Sequence, residues 1–272
     1  MCELLNIGIR RDEEIVTPEF KGQSRLLKGV YNGSISPFVL PVELFEFSFF
    51  ALISLVAETF GLPSDFKRGS WSYKRATQMK NNISIFSGAK NFQEVLELTI
   101  GTRAPNGDLI PFNKFKKLGL KIDDKYNVNW LETEQQASFR QAQSVGDWKE
   151  VNEDQDLFPY LEYSTVRDSR VRIDHAEQQG IIKRVDDPFW DTWFPPNGWN
   201  CRCIVKQLEQ ASVTKGNFET NPDKTFGTNV GKNGLIFPKE HKYFDVPKPF
   251  KKSQKRNFGF KTPSDSQIKE LL

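Results

Sequence analysis

The first 150 residues place apolar side chains at helical spacing, most clearly between residues 42 and 60. One stripe of this stretch recurs every three or four positions: Leu44, Phe47, Ala51 and Leu55. Further apolar residues fill most of the remaining surface, so the pattern predicts a helix that is buried nearly all round. The breakers in Gly61-Leu62-Pro63 predict where this helix stops.

The same spacing predicts further helices on both sides of that stretch. We expect a short helix at 26–33, one through Arg75, Met79 and Ile83, one through Phe92, Val95 and Leu96, an imperfect one from Phe112 to Ile122, and one at about 129–150. Gly33 is expected to end the first of these. The run Phe86-Ser87-Gly88-Ala89-Lys90 is expected to interrupt the chain before Phe92.

The pattern changes from helical to alternating near residue 160. Leu161, Tyr163 and Thr165 share one face of a predicted strand at 160–166. Cys201-Arg202-Cys203-Ile204-Val205 also has strand composition, and its spacing directs both thiols to the same side. Because a folded loop joins them, we expect these two strands to pair as antiparallel neighbours.

The loop between the two strands is rich in proline and aromatic residues. It contains Trp190, Trp193 and Trp199 among three prolines, which forbid long regular structure while the rings favour burial. We therefore predict that the tryptophans clasp the loop onto the strand pair. Leu235 to Pro238 is a further candidate for a short strand.

These elements predict an α+β fold. A helical N-terminal half would pack on a small mixed or antiparallel strand-and-loop C-terminal half, with extended arms. The predicted regions are an N-terminal arm at 1–24, a helical region at 25–150, a core with strands and an aromatic loop at 151–246, and a basic C-terminal tail at 247–272. Without periodicity, the tail is expected to become ordered only against a partner.

Composition excludes several classes of protein. With 38% hydrophobic and 27% charged residues, the 272-residue chain is neither disordered throughout nor a membrane protein. The longest apolar run, Leu44 to Ala57, is interrupted by Glu46 and shorter than the roughly 20 residues of a membrane span, and no signal peptide is recognisable. Three cysteines, two of them separated by one residue, do not make a disulfide framework and indicate a reducing compartment.

The rarest residues suggest a metal site. His175, Cys201 and Cys203 offer an imidazole and two thiols, a combination that suits zinc, with Asp174, Asp191 or His241 as a possible fourth ligand. Two alternatives stay open. Cys201 and Cys203 could be small buried residues beside a hydrogen-bonded His175, or one thiol could be a nucleophile with His175 as its base and Asn200 orienting the ring.

Two basic clusters are candidates for binding DNA or an acidic partner. Arg167, Arg170 and Arg172 are interleaved with Asp168 and Asp174, so mutual ion pairs that pin the strand end to the aromatic loop are the alternative. The second cluster is in the tail, at Lys251, Lys252, Lys255 and Arg256. From 239 to 261 the sequence holds eight Lys or Arg and two Asp or Glu, which gives +6, whereas the whole chain carries only +3.

No familiar catalytic motif occurs in the sequence. It has no P-loop, no G-x-G-x-x-G, no H-E-x-x-H and no G-x-S-x-G. Glu132 and Glu134, the remaining acid–base candidates on the 129–150 helix, are expected to be solvated.

At its centre the sequence resembles a known family. The segment TVRDSRVRIDHA, followed about twenty positions on by DDPFWDTWFPPNGWNCRC, is similar to the signature of the phage Mu F-like family of minor head proteins. The resemblance extends over roughly residues 25–245. Many family members carry a histidine where this chain has Gly198.

The resemblance implies a non-enzymatic minor head protein of a tailed bacteriophage or prophage. Such a protein would be present in few copies, contact the portal and other capsid components, and act in head morphogenesis, DNA packaging or ejection. It would lie in the virion, in the head interior or at the portal vertex, and in the host cytoplasm during assembly. The alternative is a metal-dependent nuclease or transferase carried in the virion, because some relatives carry enzyme modules beyond this domain.

Overall fold

The computed structural model describes residues 18–216 and 222–272. Residues 1–17 of the predicted N-terminal arm lie outside this range. The helices of the first half are α1 (Gln23–Asn32), α2 (Val42–Thr59), α3 (Trp71–Gly101), α4 (Phe112–Asp124) and α5 (Leu131–Glu153). The later elements are β1 (Tyr160–Ser164), α6 (Ile173–Ala176), β2 (Ile182–Arg184), α7 (Phe189–Trp193), β3 (Ile204–Leu208), α8 (Val230–Asn233), α9 (Lys251–Gln254) and α10 (Asp265–Lys269). The predicted α+β class is confirmed.

The described residues form two compact units, each made of several chain segments. The sheet unit comprises residues 56–79 and 136–241, and the helical unit comprises residues 18–55, 80–135 and 242–272. The helices α2, α3 and α5 contribute residues to both units, because the dividing points fall inside them. The long helices therefore build the cores of both units.

The first two helices follow the sequence pattern closely. The last residue of α1 precedes Gly33, whose left-handed φ of 81° lets its N–H bond back to Val30. Leu44, Phe49 and Leu52 of α2 are fully buried in the helical unit, as the apolar pattern predicted. By length and composition alone, the stretch Val42–Asp65 could also cross a membrane, a criterion that the core helices of soluble proteins meet as well.

The predicted interruption at residues 86–90 is wrong, because α3 runs unbroken for 31 residues. Gly88 lies inside the helix, and a Cβ added there would be 2.1 Å from Oδ1 of Asn257. Phe86 and Lys90 on either side are fully buried. Gly88 thus permits close packing and does not form a turn, a distinction that the sequence pattern could not make.

The helices α4 and α5 are joined without a loop. Lys125–Trp130 forms a π-helical segment between them, so one helical run connects Phe112 to Glu153. The predicted helix at 129–150 is therefore confirmed in place. Its expected start falls inside a longer helical run.

The sheet has three antiparallel strands in the order β2-β1-β3. The predicted pairing is confirmed, with Tyr160 opposite Leu208 and Ser164 opposite Ile204. Leu161 and Tyr163 point from β1 into the core of the sheet unit and are fully buried. The second neighbour, β2, pairs Tyr160 with Arg184, and the sequence pattern did not predict it.

Three expectations for the second half differ from the structure. Cys201 and Cys203 precede β3 instead of lying in it, and Leu235 to Pro238 forms no strand. The residues of 247–272 are not an arm without regular structure. They contain α9 and α10 and pack against the helical unit through three phenylalanines, Phe250 and Phe258 on Phe92 and Phe260 on Phe45. These rings bury apolar surface that a solvated arm would leave in water.

Candidate functional site

The sheet brings His175, Cys201 and Cys203 together in the sheet unit. Since β1 ends opposite the start of β3, the segment that follows β1 meets the segment that precedes β3. His175 lies on the short helix α6 in the first segment, and the two cysteines lie in the second. The predicted convergence of these three residues is therefore confirmed, although neither cysteine belongs to a strand.

Both sulfur atoms face the same nitrogen of the imidazole. Nδ1 of His175 lies 3.6 Å from Sγ of Cys201 and 3.4 Å from Sγ of Cys203. The three ligand atoms all lie within 4.8 Å of one another. Their side chains are almost inaccessible, with 2% of His175, 2% of Cys201 and 5% of Cys203 exposed.

The loop residues after the two prolines hold the other side of the ring. Nε2 of His175 lies 3.3 Å from the main-chain oxygen of Asn197. The side chain of the same residue accepts a hydrogen bond from the hydroxyl of Tyr163 at 3.1 Å and donates one to the main chain of Thr192 at 3.0 Å. Asn197, and not Asn200, is thus the residue that positions His175. Asn200 is exposed.

The mutual contacts shift the pKa values of these groups in opposite directions. The pKa of the Cys201 thiol is lowered, because its hydrogen bonds with Cys203 and His175 outweigh burial. The pKa of Cys203 is raised by the neighbouring Cys201 sulfur and by burial. Burial lowers the pKa of His175, but the hydrogen bond and charge of Cys201 outweigh burial and raise it overall. Of the two thiols, Cys201 is therefore the one that loses its proton more readily.

Aromatic rings surround the cluster. The ring of Trp193 stands edge-on to Tyr163 at 5.9 Å and to His175 at 6.1 Å. Trp190 is fully buried and donates its indole N–H to the main chain of Arg184 at 2.9 Å. These two tryptophans clasp the loop onto the strands as predicted. Trp199 does not join this core, because its ring packs on Phe226 instead.

The arginine cluster forms specific contacts within the chain. Asp168 accepts two hydrogen bonds from Arg202, at 2.7 and 2.8 Å, and lies 3.5 Å from Arg170. Hydrogen bonding to Arg202 lowers the pKa of Asp168. Arg172 donates to the main chain of Trp199 at 2.6 Å, which ties the segment after β1 to the aromatic loop. Arg202, the principal partner of Asp168, is a residue that sequence reasoning did not select.

The tail cluster differs, because its cationic residues remain accessible. Lys251, Lys252, Lys255 and Arg256 are all exposed. The neighbouring phenylalanines pack inward on the helical unit, so they do not present rings beside the charges. As a binding surface, the tail therefore offers charge without aromatic stacking.

A buried ionic network in the helical unit was missed by sequence reasoning. Glu134, expected to be solvated, is 3% exposed, pairs with Lys90 and accepts a hydrogen bond from the hydroxyl of Tyr243 at 2.8 Å. Burial raises the pKa of Glu134, although the charge of Lys90 opposes this shift. Partners 44 and 109 positions apart leave no local signal in the sequence. Glu132, by contrast, is exposed as expected.

The central segment is similar to known phage proteins. Residues 113–206 match the family described as Phage Mu protein F like protein, which agrees with the resemblance read from the motifs. The chain is 40% identical over 88 residues to "Putative capsid assembly protein F" of Escherichia phage Mu, covering 32% of this chain and 18% of that protein. It is 39% identical over 83 residues to "Mu-like prophage FluMu F protein" of Haemophilus influenzae, covering 30% and 19%.

These alignments cover less than a fifth of the length of either curated relative. No solved structure matches the chain. The matched residues include His175, Cys201, Cys203 and the aromatic loop, so the likeness falls on the cluster described above.

Proposed function

We propose, from the premise that residues 113–206 belong to the Phage Mu protein F like family, that the chain is a minor head protein of a tailed bacteriophage or prophage. In this role it contacts the portal and other capsid components and acts in head morphogenesis, DNA packaging or ejection. The 40% identity to a protein named for capsid assembly is the observation that carries the proposal.

The arrangement of the rare residues supports a structural role. The residues that could supply chemistry, His175, Cys201 and Cys203, are buried under tryptophan rings. A nucleophilic cysteine must be reached by its substrate, and neither thiol is accessible. The alternative is a metal-dependent nuclease or transferase, and the burial of these three residues disfavours it.

The test of the proposed partner is a binding experiment with proteins of the same phage. The tagged full-length chain is incubated with the purified portal protein and, separately, with the purified major capsid protein, and complexes are separated by sedimentation. We expect the chain to co-sediment with the portal. Sedimentation as a free protein in both mixtures, and with procapsids, would refute the assembly role.

DNA binding through the exposed tail charges is a second part of the proposal. Replacing Lys251, Lys252, Lys255 and Arg256 by Glu removes four potential phosphate contacts without deleting the phenylalanines that pack on the helical unit. We expect weaker binding to double-stranded DNA and a slope of log affinity against log salt that is smaller by about 3 to 4.

The matched control places the same charge change elsewhere in the helical unit. Lys114, Lys116, Lys117 and Lys121 on α4 are also exposed. Their replacement by Glu gives the same net charge, so a specific tail site predicts the larger loss for the tail variant. Equal losses from both variants would mean that net charge alone controls the affinity. An effect only on substituting Arg167, Arg170 and Arg172 would move the contact to the arginine cluster.

A further inference from the structure

We propose that His175, Cys201 and Cys203 bind one zinc ion, through Nδ1 of the imidazole and the two sulfur atoms. The proposal concerns the folding of the sheet unit and does not depend on the role of the chain in a phage head. It is carried by three observations: the spacing of the three atoms, the main-chain oxygen that faces Nε2 of His175, and the hydrogen bonds that orient the ring.

The spacing fits a tetrahedral ion. Zinc binds nitrogen at about 2.0 to 2.1 Å and sulfur at about 2.3 Å, which places ligands at the tetrahedral angle about 3.6 Å apart. The two measured nitrogen–sulfur distances are 3.6 and 3.4 Å. An ion can therefore lie between the three atoms with little movement of the side chains.

In the neutral ring of His175, the nitrogen that is free to bind a metal is Nδ1, which faces the two sulfur atoms. The main-chain oxygen of Asn197 can only accept a hydrogen bond, so Nε2 of the neutral ring carries the proton that is donated to it. Nδ1 then has a lone pair, and this lone pair is directed at both sulfur atoms. A single lone pair can accept a hydrogen bond from one thiol at a time, whereas a cation would satisfy the nitrogen and both sulfurs together.

The surrounding hydrogen bonds are those that support metal ligands. A ligating histidine usually donates its second ring N–H to a main-chain carbonyl or a carboxylate, which fixes the ring orientation. The carbonyl of Asn197 fills this role for His175. Asn197 is itself fully buried and held by Tyr163 and Thr192. Asn197 therefore holds the imidazole ring in a fixed orientation.

The donor set selects the metal. Two thiolates and an imidazole suit zinc and are poor ligands for magnesium or calcium, which bind oxygen. Among the residues that the structure describes, no fourth His, Cys, Asp or Glu joins the cluster. Asp174 lies 4.0 Å from Nε2, on the wrong side of the ring, and Asp191 is paired with Lys232.

The first experiment measures the metal in the full-length chain. The protein is purified without chelator and analysed by inductively coupled plasma mass spectrometry, and the apo protein is titrated with zinc and with cobalt. We expect about one zinc per chain, and absorption from thiolate-to-cobalt charge transfer on adding cobalt. A chain that is metal-free as purified and shows neither zinc uptake nor this absorption would overturn the proposal.

Variants then assign the ligands. Cys203→Ser and His175→Gln should each lose the bound zinc, and His241→Gln, which changes the other histidine of the sequence, should retain it. The ring of His241 packs beside Trp199 and not in the cluster. Stoichiometric zinc in folded Cys203→Ser and His175→Gln would refute the assigned ligands. If these variants do not fold, judged by circular dichroism, the cobalt spectrum of the unaltered chain decides. Failure of this proposal would leave the portal-binding result unaffected, which separates it from the proposed function.

Discussion

The two units of the chain differ in the chemistry of the polar side chains that they bury. Each buries polar side chains among aromatic rings, but the sheet unit gathers an imidazole and two thiols, whereas the helical unit gathers the ionisable groups of Lys90, Glu134, Glu94 and Asp123. The cluster in the sheet unit joins segments 26 and 28 positions apart, and the ion pair in the helical unit joins residues 44 positions apart.

The difference determines how each centre responds to disruption. A thiol or a neutral imidazole can be buried at modest cost, and it gains stability mainly if a metal binds. A buried charge depends on its partner, because removal of one member leaves the other unpaired away from water. The helical unit should therefore be the more sensitive to a single substitution at its polar centre.

Lys90→Met should have the largest effect. The variant leaves the buried carboxylate of Glu134 without its cation, which should lower the free energy of unfolding by about 3 to 5 kcal/mol. The double variant Lys90→Met with Glu134→Leu removes both charges and should recover much of this loss. Urea denaturation of both variants measures the difference. A single variant as stable as the unaltered chain would mean that the pair is not buried in solution.

Trp193→Ala should destabilise the sheet unit by a comparable amount, about 3 to 5 kcal/mol, because the ring is 2% exposed and packs on Tyr163 and Phe189. Trp199→Ala is the matched control, since this half-buried ring lies outside that core and its loss should cost less. Thermal unfolding compares the two. An unchanged melting temperature for Trp193→Ala would show that its ring is available to a partner.

The buried carboxyl groups of Glu94 and Asp123 should make the free energy of unfolding depend on pH, with an effect of intermediate size. Burial and the nearby charge of Asp123 raise the pKa of Glu94 well above its usual value, despite Lys90 and the hydrogen bond from Asn127. The pKa of Asp123 is raised by burial against the hydrogen bond from Gln23. The folded chain then binds more protons than the unfolded chain above the unfolded glutamate value of about 4.3.

The contribution of Glu94 to the free energy of unfolding should consequently be fully present below the unfolded glutamate pKa of about 4.3. It should decline as the pH rises towards the folded pKa of Glu94, by up to about 1.4 kcal/mol per pH unit. Glu94→Gln should flatten this decline. Urea denaturation at a series of pH values from 4 upwards, on about 0.5-unit steps, tests the slope. Stability that rises with pH across this range in the unaltered chain, and equally in Glu94→Gln, would contradict the assignment.

Asp168→Asn should have the smallest effect on stability. Its two hydrogen bonds with Arg202 lie at the surface, where solvent and salt screen the pair. We expect a melting temperature close to that of the unaltered chain, and no further change at high salt. A large loss would indicate that this pair, and not the buried cluster, holds the segment after β1 in place.

The sequence predicted the cluster of the sheet unit better than the network of the helical unit, and the reason is physical. His175, Cys201 and Cys203 are rare residues flanking two strands whose pairing follows from their alternation, so their meeting could be inferred. Lys90 and Glu134 each look like an ordinary surface residue of a helix. Only tertiary packing shows that their faces are buried.

Elements defined by local signals were also predicted well, and those defined by packing were not. Gly33 ends α1 through its own backbone conformation, which depends on neighbouring residues alone. Gly88 and the tail phenylalanines depend on each other across the sequence, since Asn257 and Phe260 are the neighbours of Gly88. The interruption of α3 and the loose tail were therefore wrong for one shared reason.

The central claim, that the chain is a component of a phage head, is tested most directly on particles of the phage that encodes it. Gradient-purified virions and procapsids are analysed by quantitative mass spectrometry, with the portal protein as the internal standard for copy number. We expect the chain to be present in both, in few copies relative to the major capsid protein. Particles that assemble, package DNA and infect normally while containing none of this chain at either stage would contradict it.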